Sequence, residues 1–131
     1  MKPYNALLHF PTSMSDRGLS IPPQRDDLPN KVGAEYIAEV CFSSYARPEL
    51  KFRERSLINI GMLIALNRAP ELRIHIRAGL HNGLTEEQIV EVCRHAMIYC
   101  GVPAGRDALT VASNVFEEAR AQRKGATAKL A

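Results

Sequence analysis

With 131 residues, 46% of them apolar and 24% charged, the chain has the size and balance of one soluble domain able to bury a real core. Its net charge of +3 comes from scattered Lys and Arg residues, which leaves no basic stripe for nucleic acid and suits a small anionic substrate. No apolar run approaches the roughly 20 residues of a membrane span, and "MKPYNALLHF" meets Pro11 too early for a signal peptide, so no membrane partner and a cytoplasmic protein are expected.

Residues 1–30 carry five of the eight prolines and no sustained periodicity, and read as an N-terminal arm, disordered alone or ordered on a neighbouring subunit. Residues 31–123 read as the folded body, and the small, polar "KGATAKLA" of 124–131 as a flexible tail. Within the body, "AEYIAEVCFSSY" puts Tyr36, Ile37, Val40 and Cys41 on one helical face, and Arg47-Pro48 ends it. "RERSLINIGMLIALN" is apolar nearly all round from Leu57 to Leu66 and predicts the central, most buried helix. Pro70 suits the first turn of the next helix, where its missing N–H costs nothing.

The punctuation that follows is explicit. Gly83 fits a helix C-terminus that needs a left-handed residue. Thr85 to Gln88 has the form of a capping box. Ile89, Val92, Cys93, Ala96 and Cys100 make the next helical stripe, which Gly101 closes. Pro103 opens a last helix with Ala104, Ala108, Val111, Ala112, Val115 and Ala119 on one face. No strand pattern survives, so the expected fold class is all-α. Cys41, Cys93 and Cys100 lack metal-ligand or CxxC spacing, and the last two, on one helix, are roughly 10 Å apart, too far for a disulfide. All three read as buried thiols.

His75 is the oddity. Leu72, His75, Ile76, Gly79 and Leu80 share one helical face, so a half-polar ring falls in an apolar stripe. Glu71 stands one turn earlier, able to orient or charge the ring, while Arg73 and Arg77 point away. Spacing alone leaves two readings open: a structural Glu–His pair in a core, or the reactive centre of a pocket. Gly79 permits close helix approach or a space for a ligand. Arg53 and Ser56 share a face of the central helix, His95 and Tyr99 lie one turn apart as a core pair or part of a pocket, and His81 sits at a helix C-terminus where an imidazolium is favoured. His9 has no sequence-based role. There is no nucleophile elbow, phosphate loop or metal-ligand motif.

The stretch "RSLINIGMLIALNRAPELRIHIRAGLHNGLTEEQIVEVCRHAMIYCGVPAGRDAL", residues 55 to 109, closely resembles the carboxymuconolactone decarboxylase family. The resemblance is carried by Arg55-Ser56-Leu57, by Glu71-Leu72-Arg73 followed by His75, by Asn82-Gly83-Leu84-Thr85 with Glu87, and by Tyr99-Cys100-Gly101-Val102-Pro103. "ARPEL", residues 46 to 50, extends it upstream. It implies a compact all-α domain of the alkyl hydroperoxidase D-like type and an intertwined homo-oligomer, a hexamer built as a trimer of dimers. The peroxidase chemistry of that superfamily uses a CxxC dithiol before a histidine. Matching that histidine to His75 puts Arg68 and Glu71 where the cysteines would stand and Ser56 at the peroxidase glutamate.

For the decarboxylase, the resemblance implies an unsaturated lactone with two carboxylates as substrate, in aromatic-compound catabolism, with the lactone itself as electron sink and no cofactor or metal. His75 is then the proton donor or enolate stabiliser and Glu71 its orienting partner. Arg53 or Arg55 would hold a carboxylate, with Ser56, His95 and Tyr99 as further substrate-binding candidates. The chain lacks the family's tryptophan-rich segment before "RPEL" and carries His81 in place of a smaller amide, so different pocket walls are expected. The alternatives are a helical oligomer that binds a small acid without turnover and a peroxidase-related protein that has lost its dithiol.

Overall fold

The computed structural model describes residues 27–130; the expected N-terminal arm, with His9, lies outside the described residues except for its last few positions. The first helix, α1 (Leu28–Tyr36), begins earlier than the sequence suggested. Asp27 caps it, accepting from the backbone N–H of Asn30 at 3.1 Å and from its side-chain amide at 2.6 Å. Pro29 falls in the first turn, where its fixed φ favours the helix and its missing N–H costs nothing. A π-helical segment, Ile37–Cys41, and the short α2 (Phe42–Tyr45) complete this N-terminal run. Its parts pack on one another, and Tyr45 is where it meets the rest of the chain.

The bundle itself is α3 (Phe52–Ala65), α4 (Ala69–His81), α5 (Glu86–Cys100) and α6 (Val102–Leu130), with no strand among the described residues. The turns follow local chemistry. Asn67 after α3 and Gly83 after α4 both take positive φ, 54° and 91°, conformations that Asn tolerates and Gly adopts freely. Thr85 Oγ1 accepts from the Gln88 N–H at 3.2 Å and Gln88 Oε1 from the Thr85 N–H at 3.1 Å, so the capping box forms as expected.

The core joins one face of each bundle helix. Ile60 and Ile64 of α3, Leu72 and Ile76 of α4, Ile89, Cys93 and Ala96 of α5, and Ala108, Ala112, Val115 and Phe116 of α6 form one buried cluster, with Leu84 from the α4–α5 turn. The most extensive packing is between α5 and α6. Gly105 allows it: a Cβ there would stand 2.2 Å from Met97 Cγ and 2.7 Å from the Cys93 carbonyl oxygen. Arg73 and Arg77 turn away from the α3 side of α4 and both donate to the Glu118 carboxylate on α6, Arg77 at 2.7 Å.

Three expectations are corrected. The central helix α3 is not buried all round, because Ile58 and Met62 on its outer side are about half exposed, with only Ser56, Ile60 and Ile64 sealed in. Of the three thiols only Cys93 is buried. Cys41 lies on the N-terminal run outside the bundle, and Cys100 ends α5 on its outward side. The expected flexible tail of 124–131 continues α6 to Leu130, since its Ala and Lys residues are good helix formers and Thr127 Oγ1 donates back to the Arg123 carbonyl at 3.0 Å. No helix is long and apolar enough to cross a membrane among the described residues.

Candidate functional site

The site is built where α4 faces α3 and the end of the N-terminal run. On α3, the positions that seal the core are 56, 60 and 64, while Phe52, Arg55 and Asn59 lie along the adjoining side at helical spacing. Tyr45 is held against that side by three contacts. Its ring stacks on Phe52 with centroids 5.9 Å apart, the Arg55 guanidinium lies 5.8 Å over its centroid, and its Oη accepts from Asn59 Nδ2 at 2.5 Å. Arg55 also donates to the carbonyls of Arg47 at 3.0 Å and Leu50 at 3.2 Å, which straps the α2–α3 loop to α3.

His75 meets this cluster from α4. Its Nδ1 lies 3.5 Å from the same Asn59 Nδ2 that engages Tyr45. The imidazole is half-buried, and burial lowers its pKa below the ordinary 6.5, an effect that the Glu71 carboxylate partly opposes. Burial likewise raises the Tyr45 phenol, against the lowering by Asn59 and the Arg55 charge. At neutral pH the site therefore presents an uncharged imidazole and a phenol that keeps its proton.

The other sequence candidates divide. Glu71 is exposed and acts on His75 through charge, while the ring's hydrogen-bond partner is Asn59. Arg55 joins the cluster but is largely committed to the loop carbonyls. Arg53 is exposed and has no partner among the described residues. Ser56 is 2% exposed and its Oγ accepts from Asn82 Nδ2 at 3.0 Å, a joint between α3 and the end of α4. Beside it Gly79 serves close approach, since a Cβ there would stand 3.0 Å from Leu84 and 3.4 Å from Ile60. His95 and Tyr99 pair with each other, centroids 5.1 Å apart, on the exposed side of α5, and share no hydrogen bond or ring contact with His75.

Sequence reasoning missed Asn59 and Tyr45. Asn59 had a readable signal: it is the one amide within "LINIGML", a turn after Arg55 in an otherwise apolar run. Tyr45 had none, because its position depends on how the N-terminal run folds back.

A separate groove of about 600 Å³ lies between the end of α4, the start of α5 and the distal part of α6, lined by Arg77, His81, Thr85, Glu86, Gln122 and Arg123 among others. Its two arginines are engaged, Arg77 with Glu118 and Arg123 within 4.0 Å of Glu86, a carboxylate that Arg120 also pairs. No group of three His, Cys, Asp or Glu side chains able to hold a metal gathers among the described residues.

An all-α bundle with a neutral imidazole in the α3–α4 angle is the class these features define. The carboxymuconolactone decarboxylase family model matches residues 33–114, and the chain belongs to that family. It is 40% identical over 74 residues to 4-carboxymuconolactone decarboxylase of Acinetobacter baylyi, covering 56% of this chain and 55% of that protein. It is 34% identical over 87 residues to nitrosuccinic acid decarboxylase of Metarhizium robertsii, covering 66% of this chain and 61% of that protein. The chain thus spans little more than half the length of these curated relatives.

Proposed function

We propose that the protein is a cofactor-independent decarboxylase of a small dicarboxylic acid that contains its own electron acceptor. 4-Carboxymuconolactone, in aromatic-compound catabolism, is the first candidate. The observation that carries the reading is the neutral His75 imidazole held between α3 and α4 in a chain whose relatives are named decarboxylases. The substrates in those two names share a chemistry. One is an unsaturated lactone and the other a nitro acid, and each has two carboxylates and a group able to receive the electron pair left by departing CO2. A site for either must hold a dianion, meet the charge that develops on the acceptor oxygen, and allow protonation at carbon.

Arg53 supplies a free guanidinium for one carboxylate, and His75 meets the developing oxyanion. Glu71 tunes the ring's charge. The reading includes a homo-oligomer, a hexamer of paired protomers, in which the exposed apolar side chains of α1 and α3 cover one another.

The test is to incubate the purified protein with 4-carboxymuconolactone and, separately, with 2-nitrosuccinate, following CO2 release and the product by NMR. Turnover that falls about 10²–10³-fold in a folded His75→Leu variant, the usual cost of losing a donor to an oxyanion, supports the reading. Binding of both acids with no CO2 from either would instead make the protein an acid-binding oligomer.

A further inference from the structure

His75 can enter a reaction in three states: charged, neutral with the proton on Nδ1, or neutral with the proton on Nε2. Each does different chemistry, and the neighbours of the ring decide among them. An amide nitrogen donates and does not accept. Asn59 Nδ2 has two hydrogens; Tyr45 Oη takes one at 2.5 Å, and His75 Nδ1 lies at 3.5 Å, where only an acceptor is useful. An Nδ1 that accepts carries no hydrogen.

The geometry points to Asn59 as the positioning residue of this site: anchored by Tyr45, it holds His75 as the Nε2–H tautomer, so that the ring nitrogen left for substrate is a hydrogen-bond donor. Three further features agree. Tyr45 is itself fixed, by Phe52 and Arg55, so the amide has a rigid partner. Burial keeps the ring uncharged, so a single proton is available to be placed. Glu71, one turn before His75, acts on the ring through charge alone, which leaves the choice of nitrogen to Asn59.

The consequence for the reaction rests on the decarboxylase reading. A neutral imidazole is a poor proton donor, because giving up its hydrogen would leave an imidazolate. It is a good hydrogen-bond donor to an oxygen gathering negative charge, the role that a neutral histidine plays in triosephosphate isomerase. His75 then stabilises and does not transfer. The bond between carbon and carboxylate breaks, and its electron pair moves into the substrate's acceptor. Nε2–H hydrogen-bonds the oxygen that receives the charge. Water supplies the proton that completes the C–H bond, and the hydroxide left behind joins CO2 as bicarbonate.

The tautomer can be read without any substrate, which separates this inference from the function. Protein labelled with ¹⁵N-histidine is examined by long-range ¹H–¹⁵N correlation at neutral pH, with His75→Gln used to assign the ring among the four histidines. The expected spectrum shows a bare Nδ1 and a protonated Nε2. Asn59→Asp replaces the donor with an acceptor and should invert the tautomer. Turnover should then fall about 10²-fold or more, and the added carboxylate should weaken binding of the dianion as well. Asn59→Leu, of similar size, should give a mixture of tautomers with a smaller loss, and it serves if the carboxylate variant does not fold. A wild-type ring protonated at Nδ1, a charged ring, or a tautomer unchanged in the folded Asn59 variants overturns the assignment. A wild-type Nε2–H tautomer in a protein that releases no CO2 from either acid keeps the assignment and removes the function.

Discussion

Replacing glycine by alanine inside α6 should have opposite effects at its two ends. Within a helix the change by itself favours folding by about 1 kcal/mol, because alanine loses less backbone freedom. At Gly125 nothing lies within 4 Å of the added methyl, so Gly125→Ala should gain up to about that amount. At Gly105 the methyl would sit 2.2 Å from Met97 Cγ, 3.2 Å from its Cε and 2.7 Å from the Cys93 carbonyl oxygen. The Met97 side chain can move aside. The carbonyl belongs to the α5 backbone, so relief requires α5 and α6 to part along their closest contact. Overpacking of this kind costs about 1–3 kcal/mol, and a backbone clash belongs at the upper end. Subtracting the helix gain leaves Gly105→Ala destabilised by about 2 kcal/mol. Chemical denaturation of both variants beside the wild type gives the two values. A Gly105→Ala protein as stable as wild type would show that α5 and α6 are not in the contact described, and with it the seating of the helices behind His75 would fail.

Because His75 titrates below 6.5 when folded, the unfolded chain binds its proton first, so its contribution to stability is complete above that pH and declines as pH falls from 6.5 toward the lower folded value; His75→Gln should flatten this part of the stability–pH curve. Glu71→Gln removes the charge that favours the imidazolium and should lower the His75 pKa further in an NMR titration, whereas a rise would contradict the charge coupling. Changing Cys41, Cys93 and Cys100 to Ala should leave turnover largely intact at some cost in stability from the buried Cys93, whose thiol burial pushes up to about 11; loss of turnover in a folded triple variant would mean a thiol takes part. Leu28, Val32 and Tyr36, each more than half exposed and one turn apart on α1, should lie in a subunit contact, so Val32→Lys with Tyr36→Lys should lower the mass measured by light scattering, and a wild-type protein already monomeric at micromolar concentration would refute the assembly.

What could be read along the chain was what short segments settle by themselves. Thr85 and Gln88 lie close enough in sequence to find each other in any context, and Gly83 is placed by the φ of 91° that its turn requires. The stripes of α4, α5 and α6 were legible because helical periodicity places residues three and four apart on one face whatever they pack against. Assigning the proline-rich residues 1–30 to an arm cost the start of α1, since a proline in a first turn and a proline in a loop look alike until Asp27 is seen to cap. The same local logic placed His75 on an apolar face but could not say what it meets there.

That was decided by helix packing. Asn59 is sixteen positions before His75 and fourteen after Tyr45, separations that no periodicity connects, and the three come together because the α2–α3 loop is strapped by Arg55 while α4 lies back across α3. The same packing left His95 and Tyr99 outside the cluster and spent Ser56 on a joint with Asn82. Local sequence sets which way a side chain can face on its own helix. Which groups it faces, and so whether an imidazole is charged, neutral or held in one tautomer, depends on desolvation and on donors from other helices, and these exist only once the chain has closed on itself.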